Sequence, residues 1–444
     1  MRAADVERSA AQLSLGIFCD SHECMSSFVT ELSGLTVLTA GIWICAFGWL
    51  VFASVALYVL AGWKPLWPPR RSHPKTDAPL ISVLIPARNE AGRILAQSVR
   101  SVLAQDYPHL EVIAVNDRST DATEAILRSI AEADERLRVI NGVEPPAGWL
   151  GKPYALQQAV EASRGLWVLT VDADVVLEKE AVRVAIGRAL AGGDDVLTLM
   201  PHFETDSFWE RVFTPAWVLV LSVSYPFANL DNPKAKPPVA FGAFMLIRRE
   251  ALAYIGDFAA VRDEILEDVR LAELLKSSGA RYRIEHAPNL VRTRMHNNLR
   301  EIWGYLSRCM FAAMHYSRVL SALYILTGYA FVVAPPFVAA VCALTLATGA
   351  RGAWASMLVV PSLVVWATQV LALTFICKSF GIPRAYALTT PLGLSLFYTA
   401  LLVSVIDILR GKGLAWKDRR VYERAGVELP ARRGRADGSS TAGN

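Results

Sequence analysis

The chain has 444 residues, of which 53% are hydrophobic and 19% are charged, and its net charge is +4. A soluble domain usually carries about 25% charged residues, so the low charge indicates membrane segments. The 45 basic and 41 acidic residues form no long run of one sign, which excludes a nucleic-acid partner. Six cysteines in a chain of this length do not predict a disulfide framework.

Residues 1–33 are interpreted as a polar leader and residues 34–63 as a transmembrane anchor. No charged residue occurs between Glu31 and Lys64, and a membrane-spanning helix needs about 20 apolar residues. The stretch is longer than the core of a signal peptide, and no basic segment precedes it. An uncleaved anchor is therefore expected.

Short apolar runs alternate with amphipathic stretches from Leu80 onwards. Strands that alternate with helices are typical of an α/β domain with a mostly parallel sheet, which we assign to residues 64–318. Ligands bind beyond the carboxyl ends of the strands in such sheets, so the residues after each strand are candidates for a site. Strands are predicted at 81–85, 111–115, 138–140, 166–171 and 196–200, and helices at 91–103, 122–131, 154–162 and 182–190.

Polar residues follow the first two predicted strands. Asn89 and Glu90 follow the first strand and Asp117 follows the second, where they would contact the base or ribose of a nucleotide. The alternative is a local role, in which Asn89 caps a helix and Glu90 favours its dipole. Ser119 or Asp121 would then cap the next helix.

Asp172 and Asp174 follow the predicted strand at 166–171. Carboxylates two residues apart on an extended chain point to the same side, where they repel each other unless a cation lies between them. Two carboxylates that share a substrate diphosphate are typical of Mg²⁺ or Mn²⁺ sites, whereas two solvated loop acids are the alternative. Lys152, at the start of a predicted helix, suits a phosphate, with an ordinary surface lysine as the alternative.

Two further segments carry candidate residues. Residues 241–247 are predicted to be a strand that begins with Gly242 and Ala243, where a glycine lets a ligand approach the main chain. Glu267 and Asp268 open an amphipathic helix. Acidic residues that merely favour the helix dipole are the alternative for this pair.

The remaining uncharged runs divide between the domain and the C-terminal region. Residues 207–230 are predicted to form a buried or interfacial helix, because a span there would place the motifs on its two sides in opposite compartments. Residues 319–407 are predicted to be a transmembrane region with three uncharged runs. Residues 408–444 form a basic tail whose end is expected to be disordered.

Basic residues set the expected topology. Lys64 and Arg71 follow the anchor, so the positive-inside rule places residues 64–318 in the cytoplasm. Four spans would then place the basic tail outside, against the same rule. A re-entrant C-terminal segment would resolve this conflict. The conflict would also be resolved if Pro335 and Pro336 broke the first of the three uncharged runs into two short helices that each cross the membrane.

In their order along the chain, these motifs resemble those of family 2 glycosyltransferases with the GT-A fold. Within that family the chain is most similar to membrane-bound, hopanoid-biosynthesis-associated glycosyltransferases, and it shares its layout with ceramide-type glucosyltransferases and carotenoid glycosyltransferases. The matching segments are 83–90, 115–121, 151–156, 171–174, 242–248 and 267–272. Those shared with the hopanoid group are 148–152, 225–227, 231–233, 301–303 and parts of 411–422.

The resemblance implies a GT-A catalytic domain over 64–318, with transmembrane helices at both ends of the chain. It implies that Asp268 is the general base that deprotonates an acceptor hydroxyl, and that Asp174, with Asp172, holds Mg²⁺ or Mn²⁺ on the donor diphosphate. The expected donor-binding residues are Pro86, Glu90, Asp117, Lys152 and Asp172, and the expected acceptor-binding residues are Gly242, Ala243 and Glu267.

The expected reaction is the inverting transfer of one sugar from a nucleotide sugar, with UDP as the favoured nucleotide, to a lipid-like acceptor. Processive relatives carry a Gln-x-x-Arg-Trp motif after the base, and residues 297–303 lack its Arg-Trp pair, which favours single transfer. The expected location is the bacterial inner (plasma) membrane, as a multi-pass protein with its catalytic domain in the cytoplasm. The alternatives are an inactive membrane scaffold, which would have no need of Asp172, Asp174 and Asp268, and a lipid transporter, whose spans usually contain charged residues.

Overall fold

The computed structural model describes residues 36–37, 39–51, 54, 78–224, 240–314, 316–349, 353–411, 414–416 and 419–421. The predicted leader, the segment 225–239 and most of the basic tail lie outside the described residues. The chain divides into two compact units: one is Ala56–Leu326 with Leu373–Asn444, and the other is Met1–Val55 with Thr327–Ala372.

The larger unit is built on a seven-stranded sheet and a three-stranded sheet. The strands of the large sheet are β1 (Ile81–Ala87), β2 (Leu110–Asn116), β3 (Leu137–Asn141), β4 (Trp167–Thr170), β6 (Val196–Met200), β8 (Met245–Arg248) and β9 (Tyr282–His286). Those of the small sheet are β5 (Val175–Leu177), β7 (His202–Phe203) and β10 (Val291–Thr293), and β11 (Leu414–Trp416) pairs with β12 (Arg419–Val421).

Helices precede, separate and follow these strands along the chain. Those up to the end of the α/β domain are α1 (Thr39–Val51), α2 (Leu95–Leu103), α3 (Thr123–Ala131), α4 (Gly151–Glu161), α5 (Ala181–Gly192), α6 (Phe208–Ser224), α7 (Arg249–Tyr254), α8 (Glu267–Ser277) and α9 (Leu299–Ala313). The C-terminal ones are α10 (Arg318–Gly328), α11 (Ala334–Ala347), α12 (Ala353–Ser379) and α13 (Thr390–Leu409).

The large sheet has the order β3-β2-β1-β4-β8-β6-β9. β1 pairs in parallel with β2 and β4, β2 with β3, and β6 with β9, whereas β8 runs antiparallel to both of its neighbours. Apolar clusters cover both faces, with Val83 of β1 on one side and Leu84 on the other. Burial on both faces explains the nearly continuous apolar runs of these strands. The mostly parallel α/β fold is thus as predicted.

Two element boundaries differ from the prediction in ways that affect the site. α4 begins at Gly151 rather than at residue 154, because Pro153 is tolerated in a first helical turn, where its missing N–H has no partner to lose. β8 begins at Met245 rather than at residue 241. The Phe244 N–H donates to the Phe241 carbonyl at 3.1 Å, so the apolar residues before Met245 form a turn.

Three of the described helices are long and apolar enough to cross a membrane, namely Arg318–Ala347, Trp354–Ser379 and Arg384–Leu409. The first consists of α10, a π-helical segment at Tyr329–Val333 and α11. Pro335 and Pro336 therefore do not break the helix, because the wider π turn precedes them and accommodates the lost hydrogen bonds. α1 is a shorter apolar helix, and the N-terminal span stays a prediction.

In the larger unit, α6 and α13 pack together. A Cβ at Gly393 of α13 would lie 2.8 Å from the Val212 carbonyl oxygen of α6, so the glycine permits this close approach. The Phe397 ring stacks on Phe213 with 5.6 Å between centroids. The described part of the predicted helix at 207–230 is therefore a buried helix, and its position at a membrane surface stays a prediction.

Candidate active site

The loops after β1 and β2 are joined by hydrogen bonds at the carboxyl edge of the sheet. Asn89 has a left-handed φ of 52°. Its N–H donates to Ser119 Oγ at 3.0 Å, and its Oδ1 accepts the Thr120 N–H at 2.8 Å. The interpretation of Asn89 as the cap of the next helix is wrong, because α2 begins only at Leu95 and the Asn89 side chain joins the two loops.

The predicted donor-binding residues Pro86, Glu90 and Asp117 lie in this pair of loops. Pro86 is half-buried at the end of β1, Glu90 is buried, and Asp117 is 5% exposed. Arg118 Nη2 lies 2.7 Å from Asp117 Oδ1. A Cβ at Gly151 would lie 2.7 Å from Asp117 Oδ2, so the glycine lets the start of α4 approach this carboxylate. The fold brings the three residues to one edge, and their contact with a nucleotide stays a prediction.

Asp172 and Asp174 follow β4, and each faces a cation from elsewhere in the chain. Asp172 Oδ1 lies 2.7 Å from Lys152 Nζ, and Asp174 Oδ2 lies 2.8 Å from Arg93 Nη1. Burial raises the pKa of Asp174 to about 6, and the charge of Asp172 adds to this while Arg93 opposes it. The two carboxylates are thus close enough to repel each other, as their spacing in the sequence predicts.

A divalent metal ion fits this carboxylate pair. Mg²⁺ and Mn²⁺ prefer oxygen ligands and are often held by one or two carboxylates together with substrate phosphates. Among the residues that the structure describes, no group of three or more His, Cys, Asp and Glu side chains could hold a metal ion. The remaining ligands of an ion at Asp172 and Asp174 would therefore come from a diphosphate and from water.

Lys152, in the first turn of α4, compensates three carboxylates. Its Nζ lies 2.7 Å from Asp172 Oδ1 and 2.7 Å from Glu267 Oε1. Burial alone would lower the pKa of this lysine, but the charges of Asp172, Glu267 and Asp268 outweigh burial, and the pKa lies well above its usual range. Burial raises the pKa of Glu267 to about 7, because the single lysine only partly offsets it and Asp268 repels the charge.

Asp268 is held by main-chain groups beside this lysine. Its Oδ2 accepts the Gly242 N–H at 2.9 Å, and its Oδ1 accepts the Val269 N–H at 2.8 Å. Burial raises the pKa of Asp268 although Lys152 and these N–H groups oppose it. Burial therefore outweighs the lysine and the two main-chain donors in setting the pKa of this carboxyl. It is also less buried than Glu267.

Gly242 and Ala243 precede β8. A Cβ at Gly242 would lie 3.0 Å from Asp268 Oδ2 and 3.5 Å from Asp172 Oδ2. Gly242 is thus the point at which the main chain approaches both carboxylates. Ala243 packs against the apolar cluster on one face of the sheet. The contact of either residue with an acceptor stays a prediction.

Three residues that the motifs do not indicate also lie near these carboxylates. Arg93 forms the ion pair with Asp174. Burial raises the pKa of Tyr305, with Asp268 adding to it, and burial together with Asp268 raises the pKa of Cys309 to about 12. Tyr305 and Cys309 lie on α9, whose sequence is that of an ordinary amphipathic helix. Arg93 stands three residues after Glu90, a spacing typical of ordinary surface pairs, so no local pattern distinguishes these residues.

Two family models and curated glycosyltransferases match parts of this chain. Residues 82–256 match Glycosyl transferase family 2, and residues 232–407 match Glycosyl transferase family 21. The 4,4'-diaponeurosporenoate glycosyltransferase of Staphylococcus aureus strain MRSA252 is 31% identical over 203 residues, which cover 44% of this chain and 51% of the relative. The same protein of strain USA300 matches to the same extent. The chain thus spans about half the length of these curated relatives.

The fold is also that of a solved glycosyltransferase. A mannosyltransferase from Pyrobaculum calidifontis, determined in complex with GDP-Man and Mn²⁺, superimposes with a TM-score of 0.50 and 18% identity, covering 84% of this chain and 99% of that chain. At this identity the likeness concerns the fold alone. The α/β domain thus has a GT-A-like fold, and residues 82–256 within it are similar to glycosyltransferase family 2.

Proposed function

We propose that this protein is a metal-dependent, inverting glycosyltransferase that transfers a single sugar from a nucleotide sugar to a hydroxyl group of a lipid-like acceptor. The observation that carries the proposal is the position of Lys152. Its ammonium group lies 2.7 Å from Asp172, on the donor side, and 2.7 Å from Glu267, next to the candidate base Asp268. The proposed donor and acceptor sides therefore lie next to each other, and proximity of the two substrates is what a sugar transfer requires.

The donor side is assigned to the loops after β1, β2 and β4. Pro86, Glu90 and Asp117 hold the base and ribose of the donor, with a UDP-sugar as the favoured donor. Asp174 and Asp172 hold Mg²⁺ or Mn²⁺, which when bound supplies positive charge to the donor diphosphate. Lys152 adds its own positive charge at the same place.

The acceptor side is assigned to Asp268 and its neighbours. The acceptor hydroxyl gives its proton to an Asp268 carboxylate oxygen while its own oxygen forms the bond to the anomeric carbon. The bond between that carbon and the donor diphosphate breaks, and the nucleoside diphosphate leaves with the electron pair. A single displacement of this kind inverts the anomeric centre. Gly242, Ala243 and Glu267 shape the space beside the base.

A lipid-like acceptor is supported by the apolar helices. Three helices are long and apolar enough to cross a membrane, and α13, which belongs to the last of them, packs on α6 and α9 of the larger unit. The Staphylococcus aureus relative is a glycosyltransferase named for 4,4'-diaponeurosporenoate. We place the protein in the bacterial inner membrane with its domain in the cytoplasm, and a hopanoid-type lipid is the first acceptor to test because of the sequence resemblance.

The activity is tested with purified full-length protein in detergent. Wild type is incubated with Mn²⁺ and a panel of UDP- and GDP-sugars, with and without lipid acceptors that carry a free hydroxyl. Release of nucleoside diphosphate and formation of a glycolipid are then measured. We expect one donor to be consumed with transfer to a lipid. Protein that binds and consumes no donor under any condition would contradict the proposal and favour a scaffold or a transporter.

The membrane orientation is tested independently of activity. A reporter enzyme that is active only in the periplasm is fused after Arg71, and a reporter that fluoresces only in the cytoplasm is fused at the same position. We expect fluorescence and no periplasmic activity, because Arg70, Arg71 and Lys75 follow the anchor. Periplasmic activity would overturn the orientation, since nucleotide sugars would not reach the domain.

A further inference from the structure

Arg93 connects three segments that are distant in the sequence. Its Nη1 lies 2.8 Å from Asp174 Oδ2 and 3.8 Å from Glu90 Oε2. On the other side of the same guanidinium, Nη2 donates to the Met295 carbonyl at 2.8 Å and lies 3.4 Å from Glu301 Oε2. One side chain thus joins the loop after β1, the carboxylate after β4 and the start of α9.

The guanidinium is suited to this bridging position. It is planar and carries several N–H donors in fixed directions, so one group can serve acceptors on opposite sides. Arg93 is partly buried, with 27% of its side chain exposed, and Asp174 is 20% exposed. Hydrogen bonds between charged groups are stronger in such surroundings than in water. The Arg93 contacts therefore help to hold these three segments together.

The Glu301 end of this bridge belongs to the N-terminal cap of α9. Asn298 is the N-cap residue, and its Oδ1 accepts the Glu301 N–H at 3.1 Å. Glu301 returns the contact by accepting Asn298 Nδ2 at 3.0 Å and the Asn297 N–H at 3.1 Å. Such reciprocal bonds fix the first turn of a helix. A change at Arg93 therefore acts directly on the start of α9.

The other end of α9 approaches the candidate base. Cys309 packs with Leu150, which directly precedes α4, and with Ile265, which lies two residues before α8, the helix that carries Asp268. α9 also packs along α13. The helix thus runs from the Asp174 side of the site, at its first turn, to the acceptor side, where it contacts an apolar helix.

We propose that Arg93 is an exchangeable counter-ion of Asp174: in the donor-free protein it ties Asp174 to the first turn of α9, and the metal-bound donor diphosphate displaces it, so that donor occupancy changes the position of α9 at the acceptor side. This inference rests on the proposed function, since it requires a metal–diphosphate complex at Asp174. It makes Arg93 a positioning residue that acts through α9.

The physical reason for displacement is competition for one carboxylate. A divalent ion at the Asp174 carboxylate weakens its pairing with the guanidinium, because the two cations repel each other at that distance. Once Arg93 leaves Asp174, the phosphate oxygens of the donor offer charged acceptors for its N–H groups. The Met295 carbonyl and Glu301 then lose their contact with Arg93, and the first turn of α9 is held less firmly.

Two binding and exchange measurements on purified full-length protein test the proposal without requiring turnover. The first is Mn²⁺ binding in the absence of donor, followed by the electron paramagnetic resonance signal of free Mn²⁺. The second is amide hydrogen exchange of peptides that cover residues 294–306, with no ligand and with Mn²⁺ plus UDP or GDP. Wild type, Arg93→Gln and Arg93→Lys are compared, with Arg100→Gln as the control, because Arg100 is an exposed arginine on α2.

In wild type we expect Mn²⁺ with the matching nucleoside diphosphate to speed exchange at 294–306 about threefold or more. In Arg93→Gln, we expect exchange at 294–306 to be fast already without ligand and to change little on binding. Mn²⁺ alone should bind this variant about tenfold more tightly, because the charged Arg93 group no longer competes for Asp174. Arg93→Lys keeps a charge near Asp174 but cannot reach both sides. It should therefore retain weak Mn²⁺ binding while showing fast exchange. Arg100→Gln behaves as wild type.

The outcomes separate this inference from the proposed function. Wild type that binds Mn²⁺ and a nucleoside diphosphate without any change at 294–306 would overturn the role of Arg93 and leave the glycosyltransferase proposal intact. Arg93→Gln with wild-type exchange and wild-type Mn²⁺ affinity would do the same. Wild type that binds no nucleoside diphosphate with Mn²⁺ would overturn both. Equal melting temperatures of the variants show that none of these changes reflects unfolding.

Discussion

Two ionic clusters lie at the carboxyl edge of the large sheet, and each places one cation among three carboxylates. In the first, Lys152 of α4 is close to Asp172, Glu267 and Asp268. Its partners lie on the segment after β4 and at the start of α8, and Gly242 holds Asp268 by a main-chain hydrogen bond. All of its members belong to the α/β domain, with Glu267 buried and Lys152 and Asp172 partly exposed.

The second cluster surrounds Arg93. Its carboxylate neighbours are Asp174, Glu90 and Glu301, and the last of these belongs to the cap of α9. This cluster therefore extends from the sheet edge to a helix that packs on α13.

The difference between the two cations follows from their chemistry. Lysine carries a compact charge that a closed set of carboxylates can surround, and its pKa is raised well above the usual range here. Arginine carries a planar group with donors on several sides and can join segments that approach from different directions. Under the two proposals, the lysine cluster holds the reacting groups, whereas the arginine cluster links the donor site to α9.

The largest effect is expected from Asp174→Asn, which removes a carboxylate from the arginine cluster. Turnover should fall about 10³-fold, because several kcal/mol of charge stabilisation at the diphosphate are lost with the metal. Metal-dependent nucleotide binding should fall with it. Both are measured by a transfer assay and by nucleotide binding with and without Mn²⁺. Full wild-type activity in excess chelator would contradict the metal assignment.

A smaller but more specific effect is expected in the lysine cluster. Asp268→Asn should lower kcat by about 10²-fold or more, the usual scale for loss of a general base, while donor and metal binding are retained. Glu267→Gln should lower kcat less, because Glu267 is 6% exposed and its carboxylate is directed to Lys152. Steady-state kinetics with donor-binding measurements test this. Near-normal turnover in Asp268→Asn together with a strong loss in Glu267→Gln would show that the base is Glu267.

The lysine cluster should also contribute to stability. Lys152→Met leaves the buried Glu267 carboxylate without its cation. We expect the free energy of unfolding to fall by about 2 kcal/mol. This loss is smaller than that for breaking a fully buried ion pair, because Lys152 is partly exposed. The double variant Lys152→Met/Glu267→Gln should regain most of this loss. Unfolding in detergent, monitored by circular dichroism, measures both. A double variant as unstable as the single one would contradict the coupling.

The smallest effect is a pH dependence of stability. The pKa of Glu267 is raised from 4.5 to about 7 by burial, so the folded state favours the protonated carboxyl. The stabilisation is fully present below the unfolded pKa and is lost as the pH rises through the folded pKa. The melting temperature of wild type should therefore fall relative to that of Glu267→Gln between about pH 5 and about pH 8. Melting temperatures that change with pH in the same way for both proteins would contradict this prediction.

Much of the α/β domain could be predicted from the sequence because its strands are local features. A buried strand of a parallel sheet is an apolar run of a few residues, and the runs before Asn116 and Asp172 have this form. Because ligands bind beyond the carboxyl ends of such strands, the polar residues that follow each strand are candidates for the site. The predicted boundaries were wrong where apolar residues form a turn, as before Met245, and where a proline lies in the first turn of a helix, as at Pro153.

The sequence by itself determined the order of the motifs, the α/β class and the apolar C-terminal helices, because each depends on the polarity of residues that are close together in the chain. Only the tertiary structure decided that Lys152 is paired with Asp172 and Glu267, and that burial raises the pKa of Asp268. It alone revealed the contacts of Arg93 with Asp174 and with the start of α9. Ion pairs and burial depend on distances in space between segments far apart in the chain, and no local pattern contains those distances.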